Sequence, residues 1–158
     1  HVFLRAQLTA WGQYNLMAGK VQVFFEGSYI GESQITPVST DDTLRISLGR
    51  DNNVTIRREP ITEFTSRRAI GTNIKEERAY KITVRNQRRN AIRIRIEDQI
   101  PVSSDSRIEV TPTQTEGWDH TATTGKLTRI FEIQPEGSAT AEFRFEVKYP
   151  KGLTLTGF

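Results

Sequence analysis

The sequence predicts an all-β protein. It reads as an antiparallel β-sandwich, with an immunoglobulin- or fibronectin-like C-terminal unit and an N-terminal β unit packed against or extending it. Three observations carry this expectation. Ile92, Ile94 and Ile96 alternate with Arg93, Arg95 and Glu97, a period of two that marks a strand with one buried and one wet face. Similar short alternating runs recur along the chain, with turn residues between them at regular spacing. No long helical stretch competes with them.

Taken in order, Val2 to Leu8 is the first expected strand. Val21 to Phe25 and Ser28 to Ile35 flank Glu26-Gly27, a hairpin-type turn in which glycine supplies a positive φ. Leu44, Ile46 and Leu48 alternate with Arg45 and Ser47 and stop at Gly49. Val54 to Ile56 follows the turn-rich run Gly49 to Asn53. Tyr80, Ile82 and Val84 alternate with Lys81, Thr83 and Arg85. Asn86 to Asn90 is expected to turn the chain back into the Ile92 strand as a hairpin. Pro101 cannot donate to a ladder, so that strand ends near it. Ile108 to Val110 is a short strand, and Leu127 to Ile133 another with an irregularity at Arg129. After the turn Pro135 to Ser138, Ala141, Phe143, Phe145 and Val147 alternate with charged residues. Residues 1–60 are expected to form the N-terminal unit, 61–78 a connecting hairpin or loop, and 79–158 the immunoglobulin-like sandwich.

Size and composition bound the function. A chain of 158 residues can bury a real core. No apolar run approaches the roughly 20 residues of a membrane helix, so no membrane insertion of this fragment is expected. The chain starts at His1 inside a strand-like pattern, without Met, and reads as a fragment of a longer protein. With no cysteine there are no disulfides, thiolate zinc sites or cysteine nucleophiles. The net charge of +3 is uneven: residues 57–95 hold 12 basic and 4 acidic side chains. That basic centre can attract an anionic partner or face acidic strands of the same fold.

The chain resembles the conserved C-terminal domain, of unknown function, of the mucoidy-inhibitor A family, with details like its Bacteroidetes branch. The resemblance rests on Phe3-Leu4-Arg5-Ala6, Tyr14 to Gly19, Phe25 to Gly31, and Asp42-Thr43-Leu44 running to Ser47 through Asp51. It continues through Val84-Arg85-Asn86, Glu97 to Ser103, and Val147 to Lys151. Where that family commonly has a tryptophan, this chain has Arg129-Ile130-Phe131, and Phe131 is expected to serve as the core aromatic. The resemblance implies a cell-envelope setting, periplasmic or extracellular, in a bacterial protein. It carries over no catalytic residues.

No catalytic, metal or cofactor site is expected. His120 is the one internal histidine. It has Asp119 beside it but no Gly-x-Ser-x-Gly turn, so it reads as a solvated loop histidine rather than part of a triad. Asp41-Asp42, Asp51-Asn52-Asn53 and Glu97-Asp98 lack the spacing of a calcium loop and read as turn chemistry. Asp98 in particular is expected to bond backbone in its turn.

The ligand candidates are Lys81, Arg85, Arg93 and Arg95, expected on one solvent face of a hairpin, and the loop aromatics Trp11 and Trp118. A basic stripe without interleaved aromatics does not suit nucleic acid. Acidic polysaccharide needs only the charge. Against that reading, Glu142 and Glu146 can pair with these cations, and the indoles can plug the ends of the fold. The expected role is therefore a non-enzymatic structural or protein-interaction module, its partner another protein or its own upstream region. The alternative is a module that binds an exopolysaccharide or other anionic glycan. Unpaired arginines or solvent-facing indoles would favour the glycan. Arginines paired with Glu142 and Glu146, and buried indoles, would favour the module.

Overall fold

The computed structural model describes residues 1–14, 16–25, 27–36 and 43–155. Twelve strands and two short 3-10 turns follow one another, with no α-helix among the described residues. None of them forms a helix long and apolar enough to cross a membrane. The chain divides after Asn53 into two compact units.

The first unit holds β1 (Phe3–Thr9), β2 (Gly19–Phe25), β3 (Ser28–Ile35) and β4 (Thr43–Arg50), with a 3-10 turn at Trp11–Tyr14. β1 pairs antiparallel with β4, and β2 with β3, as separate two-stranded sheets. In β1 the half-buried face carries Leu4, Ala6 and Leu8, and the exposed face Phe3, Arg5 and Gln7. Between β2 and β3 the register slips by one, from Val23↔Gly31 to Phe24↔Tyr29. The extra residue, Ile30, is a β-bulge that puts Tyr29 on the same face as Phe24. The expected turn at Glu26-Gly27 falls partly outside the described residues, while Gly27 has the positive φ of +79° it calls for.

The second unit holds eight strands. β7 (Asn73–Asn86) and β12 (Ser138–Pro150) form its spine, in register from Arg85↔Ser138 to Asn73↔Pro150. On the far side of β7 lie β5 (Val54–Pro60) and β6 (Ser66–Ile70); β9 (Glu109–Gln114) lies on the far side of β12. A second sheet runs β10 (Asp119–Thr121), β11 (Lys126–Ile133) and β8 (Ile92–Gln99), all antiparallel.

Both sheets have one apolar face because their strands alternate. Ala141, Phe143, Phe145, Val147 and Tyr149 of β12 are buried beside Ile82 and Val84 of β7, and Ile96, Leu127 and Ile133 are buried in the second sheet. Phe143, Phe145 and Tyr80 stack with centroids 5.5 to 6.4 Å apart. Three contacts tie the sheets together. Arg58 Nε on β5 donates to Asp98 Oδ2 on β8 at 2.9 Å, with its guanidinium 3.6 Å from the Tyr80 ring centroid. Asn86, fully buried, ends β7 and donates through Nδ2 to the carbonyls of Asn90, Ile133 and Gln134. Trp118 Nε1 donates to the Glu142 carbonyl at 2.8 Å.

Several expectations change against this frame. β5 is laddered to β7 along its whole length, from Val54↔Asn86 to Pro60↔Tyr80. The expected boundary at residue 60 therefore lies inside the second unit. Within 61–78, a 3-10 turn at Thr62–Phe64 is followed by the β6–β7 hairpin, whose two-residue turn begins with Gly71 at φ +56°.

The expected β7–β8 hairpin is not formed. β7 and β8 belong to different sheets, and residues 87–91 carry the chain from one to the other. The cause is that β7 already has β5 and β6 on one side and β12 on the other, so no ladder position remains for β8. β11 passes through Arg129 in unbroken register, without the expected irregularity. Phe131 is half-buried, with the Arg129 guanidinium 4.9 Å from its centroid.

Gly125 shows why one turn has the composition it has. It sits at φ +69°, and a Cβ there would lie 1.9 Å from the Ile100 carbonyl oxygen. The close approach lets Ile100 N–H donate to the Gly125 carbonyl at 2.8 Å, so only glycine fits.

Candidate functional site

The basic stripe is divided by the topology. Lys81 and Arg85 lie on the exposed face of the five-stranded sheet, Arg93 and Arg95 on the exposed face of the three-stranded one. Their neighbours differ. Lys81 stands between Glu59 of β5 and Glu142 of β12 in one cross-strand row. Arg93 faces Glu132, and Arg95 faces Ile130 with Glu97 at 4.0 Å. Arg85 stands between Thr55 and Ser138, with no carboxylate in its row.

Glu146 does not pair with any of these arginines. It takes Lys75 at 2.5 Å, diagonally across from its place opposite Glu77. Lys148 pairs with Glu109 at 3.3 Å, and Lys126 with Glu97 at 3.1 Å. The exposed faces are thus quilts of opposite charge, as cross-strand neighbours favour.

The two tryptophans part company. Trp118 lies in the turn before β10 and is buried, its ring edge-on to Phe143 at 5.7 Å. It plugs the fold. Trp11 is half-buried in the first unit's 3-10 turn. His120 lies on β10 opposite Leu127, within a strand rather than the expected loop.

A shallow, open depression is lined by Glu97, Asp98, Gln99, Thr124 and Lys126. Its groups answer one another: Gln99 Nε2 donates to the Thr124 carbonyl at 2.9 Å, and Asp98 Oδ1 accepts from Gln99 N–H at 2.7 Å. Asp98 therefore bonds backbone as expected, though from within β8 rather than from a turn, and accepts from Arg58 besides. Among the described residues no group of three or more His, Cys, Asp or Glu side chains could hold a metal ion. The Asp41-Asp42 pair lies outside the described residues.

One titratable cluster was not foreseen. Tyr149, buried, donates its hydroxyl to Glu76 Oε1, while Arg78 reaches Glu76 Oε2 at 2.9 Å and Arg67 reaches Oε1 at 3.2 Å. Burial alone would raise the Glu76 carboxyl, but the bonds from Tyr149 and Arg78 and the charges of Arg78 and Arg67 hold it below its usual range. Burial, then the bond to Glu76, pushes the Tyr149 hydroxyl up. Both shifts favour one state, an ionised Glu76 accepting from a neutral Tyr149. The sequence held a signal for the cluster: Arg67, Glu76 and Arg78 fall at polar positions in the segment with the weakest strand pattern. A second pair, Asp105 and Arg107, closes the loop after β8 at 2.7 Å. Its hydrogen bonds hold Asp105 down to about 2.

A family described as a domain of unknown function, DUF4139, matches residues 5–151. A nematode protein, Protein F37C4.5 of Caenorhabditis elegans, is 30% identical over 109 residues, which is 68% of this chain and 20% of that protein. The chain thus spans about a fifth of that relative's length. No solved structure matches it.

Proposed function

We propose that the chain, which belongs to the DUF4139 family, is a non-enzymatic structural or protein-interaction module. Its second unit is a two-sheet, immunoglobulin-like sandwich in this reading, held by the Arg58–Asp98, Asn86 and Trp118 ties between sheets. Its setting is the cell envelope of a bacterium, on the periplasmic or extracellular side, as the likeness to the mucoidy-inhibitor A family suggests.

One observation carries the interaction reading. Phe24 and Tyr29 are 61% and 54% exposed and face each other across β2 and β3 with centroids 5.5 Å apart. Phe3, Tyr14 and Met17 of the same unit are also exposed. Large apolar side chains gathered in the open mark contact surfaces more often than single scattered ones do. The partner in this reading is another protein or the upstream region of the same polypeptide.

A photo-crosslinking residue at Tyr29 of the full-length protein tests it. Crosslinks to a defined protein segment are expected, and Phe24→Ser should abolish them. Loss of all crosslinks in the parent, or crosslinks indifferent to Phe24→Ser, would remove the basis for this reading. A second reading, a module that binds an anionic glycan, is favoured by the exposed Arg85, which has no carboxylate in its row.

A further inference from the structure

The exposed face of the five-stranded sheet changes character along its length. Three successive cross-strand rows of β5, β7 and β12 read Thr55–Arg85–Ser138, Arg57–Thr83–Thr140 and Glu59–Lys81–Glu142. The third row is acidic on balance, with one lysine between two glutamates. The first two hold two guanidinium groups, four hydroxyls and no carboxylate. Thr55, Arg57, Arg85, Ser138 and Thr140 are exposed, and Thr83 is half-buried. Neither Arg57 nor Arg85 has an ion pair or hydrogen-bond partner among the described residues. The nearest carboxylates in the chain's course are Glu59 and Glu142, both beside Lys81, and Glu136 in the turn before Ser138.

We propose that these six residues form a binding platform for an acidic polysaccharide. The proposal rests on the glycan reading above and moves its site: Arg57 replaces Arg93 and Arg95 as the partner of Arg85. Strand spacing puts the two arginines on a diagonal of about 8 Å. Each can fork onto a separate carboxylate or sulfate group. The hydroxyls between them both donate and accept, as sugar hydroxyls require of a partner. The absence of aromatic side chains in the six positions disfavours nucleic acid, whose bases would need stacking surfaces. Because the rows are strand residues of a long, registered sheet, the spacing is fixed before the ligand arrives.

The test is calorimetric titration of the whole chain with dextran sulfate at low salt. Neutral dextran and a single-stranded oligonucleotide serve as comparison ligands. The double variant Arg57→Gln/Arg85→Gln should bind dextran sulfate about tenfold more weakly, the loss of two charge-assisted contacts. Arg93→Gln/Arg95→Gln removes the same charge from the other sheet and should bind as the parent does. Thr83→Val/Thr140→Val leaves the charge untouched and should still weaken binding severalfold. Thermal melts of all three should stay close to the parent, since these side chains are exposed or half-buried, Arg57 and Arg85 are unpaired, and the Arg95–Glu97 pair is an exposed one. Equal losses in the two arginine variants would reduce the effect to net charge and overturn the platform. So would failure of dextran sulfate to bind, or equal binding of the oligonucleotide. None of these outcomes touches the Phe24–Tyr29 surface, which lies in the other unit.

Discussion

Asn86 shows how much one residue decides. It stands where a strand ends, and its sequence neighbourhood, Asn86-Gln87-Arg88-Arg89-Asn90, looks like an ordinary polar turn. In the structure its side chain is sealed from water and donates to carbonyls of Asn90, Ile133 and Gln134, while its Oδ1 accepts from Arg88 N–H at 2.9 Å. An amide is the one side-chain group that donates twice on one side and accepts on the other. Asn86→Ala should lower the unfolding free energy by about 1–3 kcal/mol, because buried carbonyls lose their donor. Asn86→Asp should cost more at pH 7, since it aims a carboxylate at those carbonyls, and should recover partly as the acid is protonated. Urea unfolding at pH 7 and pH 4 measures both. An aspartate variant as stable as the parent at pH 7 would contradict the assigned polarity of this knot.

At the scale of elements, β6, β7 and β12 meet in the Glu76 cluster, and its pH dependence follows from the two shifts. Glu76 titrates in the fold below its ordinary value of 4.5. Its contribution is therefore present above that value and lost as pH falls through the folded one. Tyr149 titrates above its ordinary 10.0. Its contribution is complete below 10.0 and is lost as pH rises from there through the folded value. Tyr149→Phe should remove about 1 kcal/mol at neutral pH and flatten the fall on the alkaline side. Chemical denaturation followed from pH 3 to 11 reads it; an unchanged alkaline limb would detach Tyr149 from Glu76.

The same elements show what could be read from residues alone. The strands Ile92–Gln99 and Ser138–Pro150 were legible because alternation is a local property. The partner of each strand was not. Arg93 and Arg95 look like hairpin neighbours of Lys81 and Arg85, yet pairing is decided by which ladder positions remain free, and β7 has none to offer β8. The charge pattern was readable; its division between two sheets was not, and Arg57 was missed because β5 was assigned to the other unit.

At the scale of the molecule, the two units are built to different standards. Among the described residues, the buried hydrophobic side chains of the first unit are Val23 and Ile35, while Val54, Val84, Leu127, Phe143, Phe145 and Val147 are among those of the second. A two-stranded sheet is marginal in water unless a face is covered, and the first unit consists of two such sheets. The second has strands of 14 and 13 residues in continuous register, inter-sheet ties and an aromatic cluster. Residues 54–158 expressed alone should therefore unfold in one cooperative thermal transition, and residues 1–53 alone should show none. Native-state hydrogen exchange on the whole chain should agree: amides of β7, β12 and β11 should exchange only by global opening, and those of β1 to β4 by local opening of lower free energy. Equal protection in both units would mean that the first draws stability from something beyond its own core. The weak unit is also the one that exposes Phe24 and Tyr29. A partner that covers those rings should raise protection in β2 and β3 first, so the exchange pattern of the full-length protein would locate the contact as well as measure it.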